Sequence, residues 1–207
     1  TVSEAAADKE NLVYHIITKK FINQPITSKL LEGHAANLFL DNLIKDPNAG
    51  FKEIFIQLFH AYPLVLAKFD DTDLKELHEN CKHHYTTLKW VLSKEFPKHD
   101  IEPDGIFIEP SFISPKYGIQ GRLDIYYKGE KKNQAIVELK SGKPFKENKY
   151  GLSRSHYFQT LLYDLLVKSV TKSDLNPSCF ILYSKLGEHG LKYAPPIKSM
   201  QHEALIV

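Results

Sequence analysis

AIVELKSGK (135–143) runs three apolar residues, Ala135-Ile136-Val137, straight into a carboxylate and an amine, Glu138 and Lys140, on either side of Leu139. A short apolar run bounded by turn residues, here Ser141-Gly142-Lys143, reads as a buried strand. Side chains two apart on a strand share a face, so Glu138 and Lys140 point the same way. One segment upstream, GRLDIYYK (121–128) alternates Leu123, Ile125 and Tyr127 against Arg122, Asp124 and Tyr126. The polar turn GEKKNQ (129–134) joins the two strands closely enough for a hairpin. A turn symmetric about Lys131 sets Asp124 opposite Glu138, and Arg122 opposite Lys140. Asp124, Glu138 and Lys140 then project from one side of the sheet. Two adjacent carboxylates repel, and one pKa rises unless a cation lies between them. A divalent metal resolves the conflict, since magnesium takes carboxylate, water and phosphate oxygens. With Lys140 to hold a water or the charge developing on phosphate, these are the parts of metal-assisted phosphodiester hydrolysis.

Upstream, the chain reads as helical. TSKLLEGHAANLFLDNLI (27–44) places apolar residues at helical spacing behind Ser28 as N-cap. FKEIFIQLFHAYPLVLAKF (51–69) is a second helix, bent or split at Pro63. Asp71 or Thr72 caps a third over 73–96, which stops before Pro97. GIFIEPSFIS (105–114) has strand character, bent or ended by Pro110. Downstream, LSRSHYFQTLLYDLLVKSV (152–170) returns to helix behind Ser153 or Ser155, CFILYSKL (179–186) is a last strand, and the tail from Gly187 reads as irregular. Helices, a run of strands, a helix and a strand predict an α/β layer structure around a mixed sheet. The expectation is a single domain over 1–207, mainly helical over 1–100, with the catalytic sheet and its helix over 101–190.

The chain has 207 residues, 43% hydrophobic content and a net charge of only +2. Nucleic-acid binding must therefore come from a local patch. KSGKPFKENKYGLSR (140–154) offers one: Lys143, Lys146, Lys149 and Arg154 with Phe145 and Tyr150 interleaved. Such a loop either grips phosphates and stacks on a base or is simply solvated. Two cysteines, Cys81 and Cys179, make no disulfide framework, so a cytoplasmic setting is the easier reading. The apolar runs fall far short of the roughly 20 residues of a membrane span. TVSEAAADKE (1–10) is polar, unlike a secretory signal, and lacks an initial Met, which suits a processed chain or an excised piece. No GxxxxGK(S/T) loop is present, so no nucleotide-driven motor is expected in this chain. HENCKHH (78–84) offers His78, Cys81, His83 and His84 on one helix, a one-sided set that reads as structural rather than zinc-binding.

Three segments now fall into order: Gly118-Ile119-Gln120-Gly121-Arg122-Leu123-Asp124, Glu138-Leu139-Lys140, and Gln159-Thr160-Leu161-Leu162-Tyr163. Together they resemble the PD-(D/E)xK nuclease superfamily. Within it they look like the RecB-like branch, marked by GxxD, ExK and QxxxY with an upstream His, a place that Gly33-His34 fits. The resemblance implies a restriction-endonuclease-like core, a central mixed sheet flanked by helices. It implies that Asp124 and Glu138 bind Mg²⁺ or Mn²⁺, with the Leu139 carbonyl and His34 as further ligands. A nitrogen ligand favours manganese somewhat. Lys140 would position or activate the attacking water. Gln159 and Tyr163, i and i+4 on one helix face, would orient the lysine, the water or DNA, and His156 lies one turn before them. Arg122 joins the loop cations as a candidate DNA contact, and Glu109 is an acidic residue at a position some relatives use. Several relatives carry a four-cysteine iron–sulfur cluster, but two thiolates cannot supply four ligands and no cluster is expected. The implied substrate is single-stranded DNA or DNA ends, in recombination, repair or replication, with a helicase domain or subunit as a possible partner. Two rivals stand beside this reading: a nuclease-like fold kept as a DNA-binding or assembly module, and a mostly helical interaction domain with incidental hairpin charges.

Overall fold

A computed structural model describes residues 26–130, 133–171 and 176–206. Helix α1 spans Ser28–Lys45 and buries Leu31, Ala35, Phe39 and Leu43 along one stripe. Its N-cap is Thr27 rather than Ser28: the Thr27 hydroxyl accepts from the Leu30 amide at 3.3 Å. Helix α2 (Phe51–Ala61) ends at Tyr62, and α3 (Pro63–Leu66) restarts with the proline in its first turn, where the missing N–H costs nothing. Helix α4 spans Asp71–Trp90 and is capped by Asp70, whose carboxylate accepts from the Thr72 and Asp73 amides at 2.8 Å each. The expected cap at Asp71 or Thr72 is thus corrected to Asp70. Beyond α4 the chain continues as a π turn (Val91–Glu95) and a 3-10 turn (Phe96–His99) that holds Pro97, so the α-helix ends earlier than expected while the helical course runs further.

Among the described residues seven strands follow: β1 (Ile106–Ile108), β2 (Ser111–Ser114), β3 (Ile119–Arg122), β4 (Ile125–Lys128), β5 (Gln134–Lys140), β6 (Ser178–Tyr183) and β7 (Leu191–Tyr193). They form a five-stranded sheet in the order β1-β4-β5-β6-β7 and a separate two-stranded β2-β3 hairpin. Only β5 and β6 run parallel, and α5 (Arg154–Thr171) makes the crossover between them. The β4–β5 register pairs Ile125 with Val137 and Lys128 with Gln134, as a turn symmetric about residue 131 requires. Lys131 itself lies outside the described residues.

The strand expected over 105–114 is interrupted ahead of Pro110, as its proline predicted, and the one read as continuous over 121–128 is broken as well. The chain leaves the main sheet at Glu109, whose φ of 49° turns it ahead of Pro110, and re-enters at Leu123-Asp124. The exit and re-entry are pinned to each other: Glu109 N–H donates to the Asp124 carbonyl at 3.0 Å, and Leu123 N–H to the Pro110 carbonyl at 3.1 Å. Between them the β2–β3 hairpin projects. Arg122 belongs to that hairpin and pairs with Ser111, not with Lys140 as the simple hairpin reading expected.

Helices cover both faces. Tyr127, Ala135, Val137, Leu139 and Leu182 pack with α1 and α4 in one core. Tyr126, Ile136 and Ile181 pack with α5 and α6 (Lys198–Leu205) in the other. This is the expected α/β class, a mixed sheet between helices with a helical N-terminal part. The tail is not irregular: it supplies a 3-10 turn (Gly187–His189), β7 and α6. Among the described residues no helix is long and apolar enough to cross a membrane.

Candidate active site

The alternation of β5 decides the site. Ile136 faces the α5 core, so Glu138 and Lys140 leave the sheet on that side, beside α5. Asp124 stands one residue beyond the β4 ladder, at the break, and its Oδ2 accepts from the Leu139 amide at 2.6 Å. A side chain thus fills the place of the lost backbone partner and locks the carboxylate beside Glu138. From α5, Gln159 donates through Nε2 to Glu138 Oε1 at 2.6 Å and to the Tyr163 hydroxyl at 3.1 Å. Lys140 Nζ donates to Glu138 Oε1 at 2.8 Å and to Gln159 Oε1 at 2.9 Å. Tyr163 closes the chain by donating to the Arg122 carbonyl at 2.8 Å. Asp124, Glu138, Lys140, Gln159 and Tyr163 all line one cleft of about 600 Å³.

The electrostatics are unbalanced. Glu138 is only 4% exposed. Burial, then the neighbouring Asp124 charge, push its carboxyl up to about 8, against the pull of Lys140. Burial also raises Asp124, opposed by the Leu139 amide and Lys140. Glu138 Oε2 is buried with no hydrogen-bond partner. Two crowded carboxylates with a free oxygen are short of positive charge, and hard oxygen donors suit Mg²⁺ or Mn²⁺. Among the described residues no three His, Cys, Asp or Glu side chains gather into a ready-made cage. That donor set suits magnesium, which keeps several waters and needs only one or two carboxylates, better than it suits zinc.

The other sequence-predicted residues are placed as follows. Gly33 faces the turn after β5, where a Cβ would lie 3.4 Å from Ser141 Oγ, an ordinary van der Waals contact. His34 stacks on Tyr62 at 5.2 Å with Nδ1 buried and unbonded, and it does not line the cleft. Instead α1 sends Asn37 to the cleft. One turn on, Asp41 is pushed up to about 6 by burial, Glu109 and Asp124, which puts its carboxyl within electrostatic reach of the site. Asn37 and Asp41 were not singled out from the sequence; their i+3 and i+7 spacing from His34 is the signal that marks them. Glu109 and Arg122 form an exposed ion pair at 3.3 Å. Lys143, Lys146, Lys149 and Phe145 are exposed on the loop after β5. Arg154 is exposed as well, but it is paired with Glu203 and lies over Phe158. His156 Nδ1 is 3.1 Å from the Tyr183 hydroxyl, and burial, helped by Lys140, pushes the ring down to about 4. Cys81 and Cys179 are free thiols in the two separate cores.

No family model matches the sequence, and no curated protein matches it. Among solved structures, the chain is similar to a "Putative exonuclease" from Eubacterium rectale. The TM-score is 0.60 over 99% of this chain and 75% of that one, at 15% sequence identity. The fold is nuclease-like.

Proposed function

We propose that the protein is a metal-dependent deoxyribonuclease of RecB-like type. The reading rests on one observation: Asp124 and Glu138 converge from neighbouring strands beside Lys140, with Glu138 Oε2 left unbonded. Asp124 and Glu138, with the Leu139 carbonyl, would hold Mg²⁺ or Mn²⁺. His34 enters the ligand set only if its ring leaves Tyr62. The metal, when bound, polarises the phosphate and eases ionisation of water. Lys140 holds the attacking water or the charge growing on phosphate. Gln159 fixes the Lys140 amine and Glu138 at once, and Tyr163 fixes Gln159. The water oxygen bonds to phosphorus in line as the bond to the 3′-oxygen breaks, which leaves a 5′-phosphate and a 3′-hydroxyl. Arg122, Lys143, Lys146, Lys149 and, if released from Glu203, Arg154 would carry the DNA backbone. Single-stranded DNA or DNA ends are the proposed substrates, in recombination, repair or replication in the cytoplasm, beside a helicase partner.

The test is cleavage of labelled single- and double-stranded DNA in Mg²⁺ or Mn²⁺ by wild type, Asp124→Ala and Lys140→Ala. Loss in both variants, with circular dichroism unchanged, supports the reading; equal activity in all three overturns it. Metal-dependent DNA binding without turnover in wild type points instead to a DNA-binding or assembly module.

A further inference from the structure

The β2–β3 hairpin has two unlike faces. Phe112 meets Tyr126 edge-on at 5.5 Å, Ser114 hydrogen-bonds Ser169 of α5 at 2.6 Å, and Ile119 packs into the α5-side core. That face is anchored. The other carries Ser111, Ile113, Gln120 and Arg122, and all four line the cleft of the carboxylates, which Phe112 and Gly121 of the anchored face also border. Ile113 and Gln120 are direct cross-strand partners, so their side chains lie side by side. Ile113 is 67% exposed. A solvated two-stranded sheet gains nothing from an uncovered isoleucine at the mouth of a charged cleft.

We infer that this face is a nucleotide-reading wall, and that the substrate is a single DNA strand whose base leaves its stack to lie on Ile113. The inference rests on the nuclease reading and specifies its substrate. An apolar platform beside an amide matches a base, which has an apolar face and a polar edge. Arg122 and Lys140 in the cleft, with Lys143, Lys146 and Lys149 on the adjoining loop, complement the phosphates. The cleft, about 600 Å³, falls in the range of sites that enclose a small organic ligand, about 300–1,000 Å³. Such a space has room for a nucleotide or two. Glu138 is nearly fully buried, so a phosphate must descend to it, which a strand freed from its partner can do.

The test compares wild type, Ile113→Ala and Ile113→Phe. Anisotropy in EDTA measures binding to labelled oligo-dT, to the same backbone made of abasic sites, and to a blunt duplex of equal length. Wild type should prefer oligo-dT over both others. Ile113→Ala should weaken oligo-dT binding about tenfold, leave the abasic strand unchanged, and place the cleavage defect in KM rather than kcat. Ile113→Phe should restore binding. A side chain this exposed should leave the melting curve unmoved, which separates the effect from misfolding. Ile113→Ala binding oligo-dT like wild type overturns the inference, as does a wild-type preference for the duplex. The binding arm needs no cleavage, so an inactive wild type with the predicted binding pattern defeats the nuclease reading alone. Normal cleavage with Ile113→Ala indistinguishable from wild type defeats only the wall.

Discussion

Glu32 and Glu138 are equally buried, each 4% exposed, yet the fold treats them differently. At the α1–α4 junction Glu32 Oε1 accepts from Asn80 at 2.8 Å, and Oε2 meets Lys185 at 2.5 Å. One carboxylate there joins α1, α4 and the turn after β6. At the end of β5, Glu138 gathers Lys140 and Gln159 on a single oxygen, leaves the other unbonded, and faces a second carboxylate. Both sites bury charge, but only one balances it. A buried group held short of its counter-charge by the surrounding structure costs stability, and such groups concentrate where chemistry is done.

The contrast is broken most directly by neutralising each carboxylate in turn. Glu138→Gln should lower cleavage about a thousandfold, some 4 kcal/mol of barrier. Its folding stability should hold or rise, because the native state no longer has to hold either a proton or a second charge beside Asp124, while an acceptor oxygen remains. Glu32→Gln should do the reverse: about 2 kcal/mol lost in urea denaturation, discounted because Lys185 is partly solvated, with kcat largely kept. If Glu138→Gln proves the less stable of the two, the distinction between joint and site is wrong.

The same imbalance has a pH signature. Folded, metal-free protein holds the Glu138 proton up to about 8, whereas the ordinary carboxyl releases it at 4.5. Between those values the native state binds more protons than the unfolded one. The Glu138 contribution to stability is therefore full below 4.5 and declines as pH rises towards about 8. His84 and His156, both pushed down to about 4 by burial, act in the opposite sense. Subtracting the Glu138→Gln profile from wild type isolates the carboxyl, and the difference in melting temperature should fall with pH. Mn²⁺ should flatten that fall, because it binds the deprotonated native form. A difference curve that rises through this window would show that Glu138 is ionised in the folded protein.

A smaller effect is expected at Tyr163, whose hydroxyl links Gln159 to the Arg122 carbonyl. Tyr163→Phe should cost about 1 kcal/mol of stability and about tenfold in kcat, with KM nearly unchanged, because the loosened amide positions Lys140 less well. A change confined to KM would place Tyr163 at the substrate instead.

The face that carries the two carboxylates was legible because strand alternation is rigid. With the register fixed about residue 131, Asp124, Glu138 and Lys140 must share a side, and they do. Gln159 and Tyr163 were implied by the QxxxY resemblance, and their i, i+4 spacing puts them on one helix face. What escaped was set by distant contacts. The break at Leu123-Asp124 leaves no periodic trace, since alternation continues through it while the chain changes sheets. Strand β7 exists only by pairing with β6, and three residues show no period. The cap Thr27 lies one residue before the expected Ser28, and Asp70 lies one or two before the expected Asp71 or Thr72, because the true cap is the side chain that reaches the second or third amide. For His34 the motif names a residue without fixing its rotamer, and in this structure Tyr62 takes the ring.

The smallest expected effects separate the cations that sequence grouped together. Lys143, Lys146 and Lys149 are exposed on the loop after β5, where Phe145 is 75% exposed. Arg154, a few residues on, is paired with Glu203 of α6 and covers Phe158. A lysine that meets a phosphate of a single strand releases about 0.7 of a counterion, so Lys146→Ala should reduce the slope of log affinity against log salt by about that amount. Arg154→Ala should leave the slope as it was and show itself in a slightly lower melting temperature, since its charge already faces Glu203 across an exposed ion pair. Equal slope changes in both variants would mean that Arg154 leaves Glu203 for the strand, and α6 would then belong to the binding surface.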